Sequence, residues 1–420
     1  MKMNVLILGG GGREHALAHG VARSERLGQL YVMPGNAGTA ALGKNLEGDL
    51  SDHDALVAKA RELAIDLTIV GPEAPLCAGI VDRFESAGLR VFGPNKAAAR
   101  IEGDKAYAKE VMRRALVPTA EARIFDRFAA AKTYVATRDS ALVVKAAGLA
   151  AGKGVVVCDE PSEAILALER MMVDGQFGDA GKKVVVEERL QGPEVSALAL
   201  IDDTTICVLE TARDYKRIGE GDTGLNTGGM GAVSPAPNVP DDLLEQVESD
   251  VFIPIIDALR RDGVTYRGIL YAGLILTAAG PKVLEFNCRF GDPETQAILP
   301  RYRGDLLALL DACASGRLIE AELDWDPRPA VCVVMSAGGY PGAYDKGRVI
   351  TGLDEAAQLD DVTVFHAGTT LTGDRTLTNG GRVLGVTALG EDVASARLRA
   401  YAAIDRIRFD GAYVRRDIAG

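Results

Sequence analysis

At the usual ~150 residues per domain, a chain of 420 residues is too long for a single small binding module and is expected to carry about three domains. Apolar residues make up 47% and charged residues 25%, a balance that buries several cores and excludes disorder as the main state. The 47 basic and 59 acidic side chains leave a formal charge of −12, so no overall positive field draws nucleic acid or anionic lipid, and any phosphate ligand must be held by local chemistry.

Between residues 4 and 94 short apolar runs alternate with helical patterns, which predicts βαβ units and a parallel sheet. Strands are expected at 5–8, 30–33, 67–70 and 89–92, and Ser51-Asp52-His53-Asp54 reads as a capping box for a helix running to Leu63. The carboxyl ends of these strands gather the turns 9–12, Pro34-Gly35-Asn36-Ala37-Gly38-Thr39, Gly71-Pro72-Glu73 and Gly93-Pro94-Asn95, all suited to a ligand crevice. The first turn is not a dinucleotide fingerprint, because Glu14 stands where its last glycine belongs and the second strand ends without an acid for a ribose hydroxyl. Two readings of Gly11, Gly12 and Arg13 stay open: a helix start whose free N–H groups hold one phosphate, or a tight turn packing helix on strand.

A helix at about 104–114 leads to Pro118, after which strand, helix and strand patterns open a second domain. Strands at 142–144 and 155–157 flank Gly148-Leu149-Ala150-Ala151-Gly152-Lys153-Gly154, followed by a helix at 163–172 and a strand at 184–186, together a small lid. The glycine turn is not a P-loop, since its spacing is one residue short and Gly154 replaces the metal-binding hydroxyl. It is either an exposed turn or a flap over nucleotide phosphates charged by Lys145 and Lys153. Residues 188–298 are expected to form the main catalytic sheet, with a long helix at 241–261. Within them, the glycine-rich stretch 214–232, carrying Lys216, Arg217, Glu220, Asp222 and Asn226, is too long for an idle loop and reads as an active-site cover. Past Asp324-Trp325-Asp326-Pro327 come short strands and one helix at about 391–405.

In Val283-Leu284-Glu285-Phe286-Asn287 a period of two puts Glu285 and Asn287 on one face, with Leu284 and Phe286 on the other. Two such oxygen donors can share a hard cation, which as magnesium keeps one or two protein ligands and takes the rest from phosphates and water. Arg289, Gly291, Asp292, Pro293 and Glu294 follow at once, charge dense enough beside an apolar strand to require partners or ligands. No G-x-S-x-G elbow occurs, and His15 and His19, one helical turn apart, lack a metalloprotease glutamate and read as partly solvated helix residues. The six cysteines form no CxxC pair and read as reduced thiols. With no uncharged apolar run of ~18 residues and too short an apolar start for a signal peptide, the expectation is a cytoplasmic protein without membrane contact.

Taken together, Gly11-Gly12-Arg13-Glu14-His15-Ala16-Leu17, Gly71-Pro72-Glu73-Ala74-Pro75-Leu76, the stretches 145–155 and 221–237, and Arg289-Phe290-Gly291-Asp292-Pro293-Glu294 resemble the phosphoribosylamine–glycine ligase family over the whole chain. The resemblance implies an α/β multidomain fold: a parallel βαβ domain at 1–103, an ATP-grasp domain at 104–325 with its lid at about 120–187, and a mixed, β-rich domain at 326–420. It implies ATP with magnesium, or manganese in its place, and glycine and 5-phosphoribosylamine as substrates of a monomer or weak homo-oligomer. By the same resemblance Lys105 and Lys145, with Gly148, Gly152, Lys153 and Gly154 of the flap, would contact ATP phosphates. Glu187, Glu188 and Leu190 would line the adenine pocket, Glu194 would reach the ribose, and Glu285 and Asn287 would bind the metal. Asp214, Lys216 and Arg289 would be catalytic. The substrate would meet Gly11, Gly12, Arg13, Glu14, Asn36, Gly38, Thr39, Pro72, Glu73, Gly291, Asp292 and Pro293. Two departures stand out: Ala147 replaces an expected aspartate, and Tyr215 an expected histidine beside Asp214. The alternatives are another ATP-grasp ligase joining a different carboxylate and amine, and a silent nucleotide-binding regulator. An NAD-dependent oxidoreductase comes third.

Overall fold

The computed structural model describes residues 2–150 and 152–420; Met1, and Ala151 of the glycine-rich turn, lie outside the described residues. The chain begins with a parallel five-stranded sheet in the order Lys44–Asn45, Leu27–Pro34, Met3–Gly9, Leu67–Val70, Val91–Phe92. Val5, Leu6, Ile7 and Leu8 are fully buried, as in a strand covered on both faces. The edge strand Lys44–Asn45 is absent from the predicted set because two polar residues carry no periodicity. Strand order reverses beside Met3–Gly9, so the turn after it and the turn after Leu67–Val70 border one crevice. The cap of helix His53–Glu62 is Asp52, whose carboxylate accepts the Ala55 N–H at 3.0 Å, while Ser51 bonds Asp49 instead. Helix Lys105–Arg114 is capped by Asp104, which accepts from Ala106 and Tyr107 at 3.1 Å each. Lys105 thereby enters the first helical turn, where its N–H donates to the Ala147 carbonyl at 2.8 Å.

The lid is an antiparallel sheet in the order Ala122–Phe125, Val184–Glu188, Leu142–Ala146, Val155–Cys158. Leu142, Val144, Ala146, Val184 and Val186 face helices Phe128–Ala136 and Pro161–Met172 in one apolar cluster. Alternation sends Lys145 and Glu187 to the opposite face. A second antiparallel sheet, Ile206–Val208, Glu194–Asp202, Arg267–Thr277, Gly280–Asn287, forms the core. The single helix expected at 241–261 is Leu243–Val247 and Ile253–Arg261 joined by a π-helical stretch at Glu248–Phe252. Pro254 lies just past that stretch, and a proline has no N–H to continue the α-helical ladder.

One expectation is overturned in the region 188–298. Strands Arg213–Asp214 and Gly231–Ser234 leave the core sheet and join Ala330–Ala337, Arg382–Leu389 and Val362–His366, with Ala412–Tyr413 also on Ala330–Ala337. Apolar alternation marks a strand but not the sheet that receives it. The glycine-rich stretch between them carries its own hairpin, Arg217–Gly219 with Thr223–Asn226, rather than an open cover. The C-terminal sheet packs on helix Val393–Ile404, and a short helix Leu353–Ala357 adds to the one expected. Among the described residues no helix is long and apolar enough to cross a membrane.

Candidate active site

Between helix Lys105–Arg114, the lid and strand Gly280–Asn287 lies a narrow pocket, with Ile101, Met112 and Phe286 as apolar walls and Lys105, Lys145 and Glu187 as polar ones. Glu187 is 2% exposed and sits between the Lys145 ammonium at 2.9 Å and the Lys109 ammonium at 3.2 Å. Lys145 also donates to the Leu284 carbonyl at 3.0 Å, and Lys109 to Thr119 Oγ1 at 2.7 Å. Burial, added to by the Lys145 charge and opposed by Glu187, lowers the Lys109 ammonium to about 8. Lys109 is not among the sequence candidates, although it follows Lys105 by one helical turn, a spacing that shares a face. Glu188 is exposed and Leu190 half-buried, both outside the pocket lining; Gly152 and Lys153 are exposed at the flap. Gly148 presses on Ala180, where a Cβ would come within 2.7 Å of its Cα.

Glu285 and Asn287 are both half-buried, whereas Phe286 turns into the apolar core. Leu284 does not follow Phe286: the register with Arg267–Thr277 shifts there, and Leu284 lines the pocket instead. Burial pushes the Glu285 carboxyl up, but Lys216, Lys105, Lys145 and Arg289 outweigh it and hold the group below its ordinary range. An ionised carboxylate and an amide oxygen two residues apart suit a hard divalent cation completed by phosphate oxygens. Beside them Lys216 bonds Glu194 at 2.6 Å. Asp214 is pushed up to about 7, chiefly by burial and further by Glu294, Glu194 and Glu285, against the pull of Lys216. Ala147 is packed with Ala106 and Val185, and the Tyr215 ring is flanked by the guanidiniums of Arg213 and Arg415 at 5.2 and 5.5 Å.

Arg289 is a fork that spans domains. Its Nε lies 3.2 Å from Glu73 and its Nη2 3.2 Å from Glu102, whose other oxygen accepts the Cys288 N–H at 2.7 Å. Asp292 meets the Gln296 amide at 2.8 Å and Arg382, from the C-terminal sheet, at 3.3 Å. Buried Glu294 accepts from Ser196 at 3.2 Å, and Ser196 bonds the Tyr271 hydroxyl at 2.9 Å. Gly291 and Pro293 are buried between them. Glu102 and Arg382 are absent from the sequence candidates because isolated charges carry no motif; only the chain path brings them here.

In the crevice of the first sheet, several of the expected substrate residues are bonded to one another. Arg13 and Glu14 are buried; Arg13 bonds Glu14 at 2.6 Å and the Phe290 carbonyl at 3.2 Å, and Glu14 accepts the Gly11 N–H at 2.7 Å. A Cβ on Gly71 would stand 2.0 Å from the Glu14 carboxylate, so a larger residue there would displace that side chain. Asn36 donates to the carbonyls of Gly10 and His366 at 3.0 and 2.8 Å and accepts from the N–H groups of Gly38 and Thr39 at 2.9 and 3.0 Å. The Thr39 hydroxyl is spent on Asn36 and Asn45. Arg13, Asn36, Gly38 and Thr39 therefore build the loops, and what they leave half-exposed at the crevice is Gly10, Gly11, Pro72, Glu73 and Asp292, with Gly12 buried just behind. His15, expected to be partly solvated, is buried, and its Nδ1 accepts the His366 N–H at 2.7 Å. Its partner lies 351 residues away, out of reach of any local pattern.

A parallel N-terminal domain, an antiparallel core and a lid meeting over a lysine-lined pocket define the ATP-grasp class of ligases. Family models for the N, ATP-grasp and C domains of phosphoribosylglycinamide synthetase match residues 3–102, 103–295 and 330–420. Relatives described as phosphoribosylamine–glycine ligase are 51% identical in Rhodopirellula baltica, over 100% of this chain and 97% of theirs, and 49% identical in Vibrio cholerae, over 99% and 97%. A crystal structure of phosphoribosylamine–glycine ligase from Thermotoga maritima superposes with a TM-score of 0.85 at 33% identity, covering 99% of this chain and 100% of that one. The biotin carboxylase domain of a Hydrogenobacter thermophilus 2-oxoglutarate carboxylase shares the fold, with a TM-score of 0.77 at 16% identity over 99% and 92% of the chains. The chain belongs to the phosphoribosylglycinamide synthetase family.

Proposed function

We propose that this chain joins glycine to 5-phosphoribosylamine using ATP, giving glycinamide ribonucleotide, ADP and phosphate, a step of purine synthesis. The observation that carries the reading is Glu285: a half-buried carboxylate kept ionised by surrounding cations, with Asn287 beside it, at the mouth of the lysine-lined pocket. A carboxylate is a poor electrophile, so glycine must first receive the γ-phosphoryl group as glycyl phosphate, with the leaving group then displaced by the ribosyl amine. Lys105 and Lys145 would orient the ATP phosphates, Glu187 and Leu190 the adenine, and Glu194 the ribose. A magnesium ion, or manganese, held by Glu285 and Asn287 would offset charge on the phosphate oxygens. Arg289 would hold the acyl phosphate. Asp214, poised near neutrality beside protonated Lys216, can take the proton that the amine loses on attack. The lid would exclude water, which otherwise hydrolyses the acyl phosphate.

On this reading the domains divide near residues 103 and 325, and the enzyme acts in the cytoplasm as a monomer or weak homo-oligomer. The test is ADP release with each substrate omitted in turn. ADP that appears only when both glycine and phosphoribosylamine are present is expected. ADP with a different carboxylate and amine would make it a sister ligase, and tight ATP binding without any ADP would make it a regulator.

A further inference from the structure

The end of the chain grips the glycine-rich hairpin at a distance from the pocket. Arg415 is 1% exposed. Its guanidinium takes Asp417 through two bonds of 2.9 and 2.7 Å, and its Nη1 reaches both Asp222 and the Arg217 carbonyl at 2.9 Å. Asp417 also accepts the Gly221 N–H at 2.8 Å, and the Tyr413 hydroxyl donates to the Ile218 carbonyl at 2.8 Å. A buried guanidinium with all these partners filled is costly to dislodge. The hairpin it holds follows directly on Asp214-Tyr215-Lys216, and the Tyr215 ring itself lies against Arg415 at 5.5 Å.

We propose that Arg415, with Tyr413 and Asp417, is a positioning element of the ligase reaction: the C-terminal tail fixes the hairpin 217–226 and through it the placing of Asp214 and Lys216. The inference rests on the functional reading above. The local ladder pairs Asp214 with Ala232 and joins the Lys216 carbonyl to the Thr227 N–H at 2.8 Å, but it does not reach the hairpin beyond Lys216. The hairpin's other end has few apolar contacts, its residues 220–225 being exposed. The tail ties down this exposed end of the hairpin, and this gives the domain farthest along the chain a part in catalysis without touching substrate.

The test compares Asp222→Asn, Tyr413→Phe, Arg415→Lys and Arg415→Ala with the wild type by steady-state kinetics, thermal melting and hydrogen exchange. Asp222 has a positive φ of 54°, a region asparagine tolerates, so Asp222→Asn removes charge without straining the turn. The expected result for Asp222→Asn and Tyr413→Phe is faster exchange at 217–226, an unchanged melting temperature, KM for ATP within about twofold and kcat lower by about tenfold, a factor equal to ~1.4 kcal/mol. Arg415→Lys should fall between the wild type and Arg415→Ala. An active wild type whose Asp222→Asn and Tyr413→Phe forms keep full kcat overturns the proposal, whatever Arg415→Ala does. So does a fall in kcat that comes only with a lower melting temperature and faster exchange throughout the C-terminal sheet. A wild type releasing no ADP overturns the functional reading, and this one with it.

Discussion

The two rims of the crevice use polar residues in opposite ways. On the rim formed by helix Lys105–Arg114, the lid and strand Gly280–Asn287, Lys105, Lys145 and Glu285 line the pocket itself, with Lys145 steadied by Glu187 and the Leu284 carbonyl. On the rim built by the first sheet, Arg13, Asn36 and Thr39 are turned inward and satisfied by neighbouring main chain and side chains. One rim offers side chains; the other offers backbone held in shape by side chains. On the proposed reading, the nucleotide phosphates would meet charged side chains and a cation on one rim, and the sugar phosphate would meet the loop backbone on the other. Substitutions on the first rim should change chemistry or affinity directly, and those on the second should act through loop shape.

The largest effect is expected from Glu285→Ala: turnover down at least about 10²-fold with an unchanged circular dichroism spectrum, because the carboxylate faces the pocket rather than the core. Near-normal turnover would remove the cation site and with it the contrast between the rims. Next, Glu187→Ala strands two lysines in a buried place, for which breaking a buried pair costs about 3–5 kcal/mol. Chemical denaturation should show the loss, and Glu187→Ala with Lys109→Met should recover part of it. Lys145→Ala should raise the KM for ATP by an amount corresponding to roughly 1.5–3 kcal/mol, measured at saturating glycine and amine. On the other rim, Asn36→Ala should raise the KM for phosphoribosylamine by about tenfold, ~1.4 kcal/mol, and leave that for ATP alone; equal change in both would show that the rims are one mechanical unit.

A further effect concerns pH. Burial, reinforced by His366 and His19, lowers His15 to about 3, and burial lowers His366 to about 4. Both folded values lie below the ordinary 6.5, so the unfolded chain binds more protons there and stability must fall as pH drops below about 6.5. Urea midpoints measured between pH 7.5 and 5 should shift less in His15→Asn than in the wild type. Identical slopes would mean that His15 is not held neutral against the C-terminal strand.

Much of this was readable in the chain itself. The parallel sheet of the first domain, the lid strands, and the pairing of Glu285 with Asn287 on one strand face all follow from local periodicity, which is fixed by backbone geometry. The dense run of charge around Arg289 was legible too, and it carried the resemblance to the family. The sequence could not assign strands Arg213–Asp214 and Gly231–Ser234 to the C-terminal sheet, because alternation marks a face and not a partner. Nor could it find Glu102, Lys109 or Arg382, or show that Asn36 and His15 are tied to His366. Those roles rest on bonds between residues far apart in the chain, and only the packing of three domains around one crevice brings such groups within hydrogen-bond distance. Local spacing determines which side chains share a surface; the tertiary fold decides which of them are left free to meet a ligand and which are spent holding the others in place.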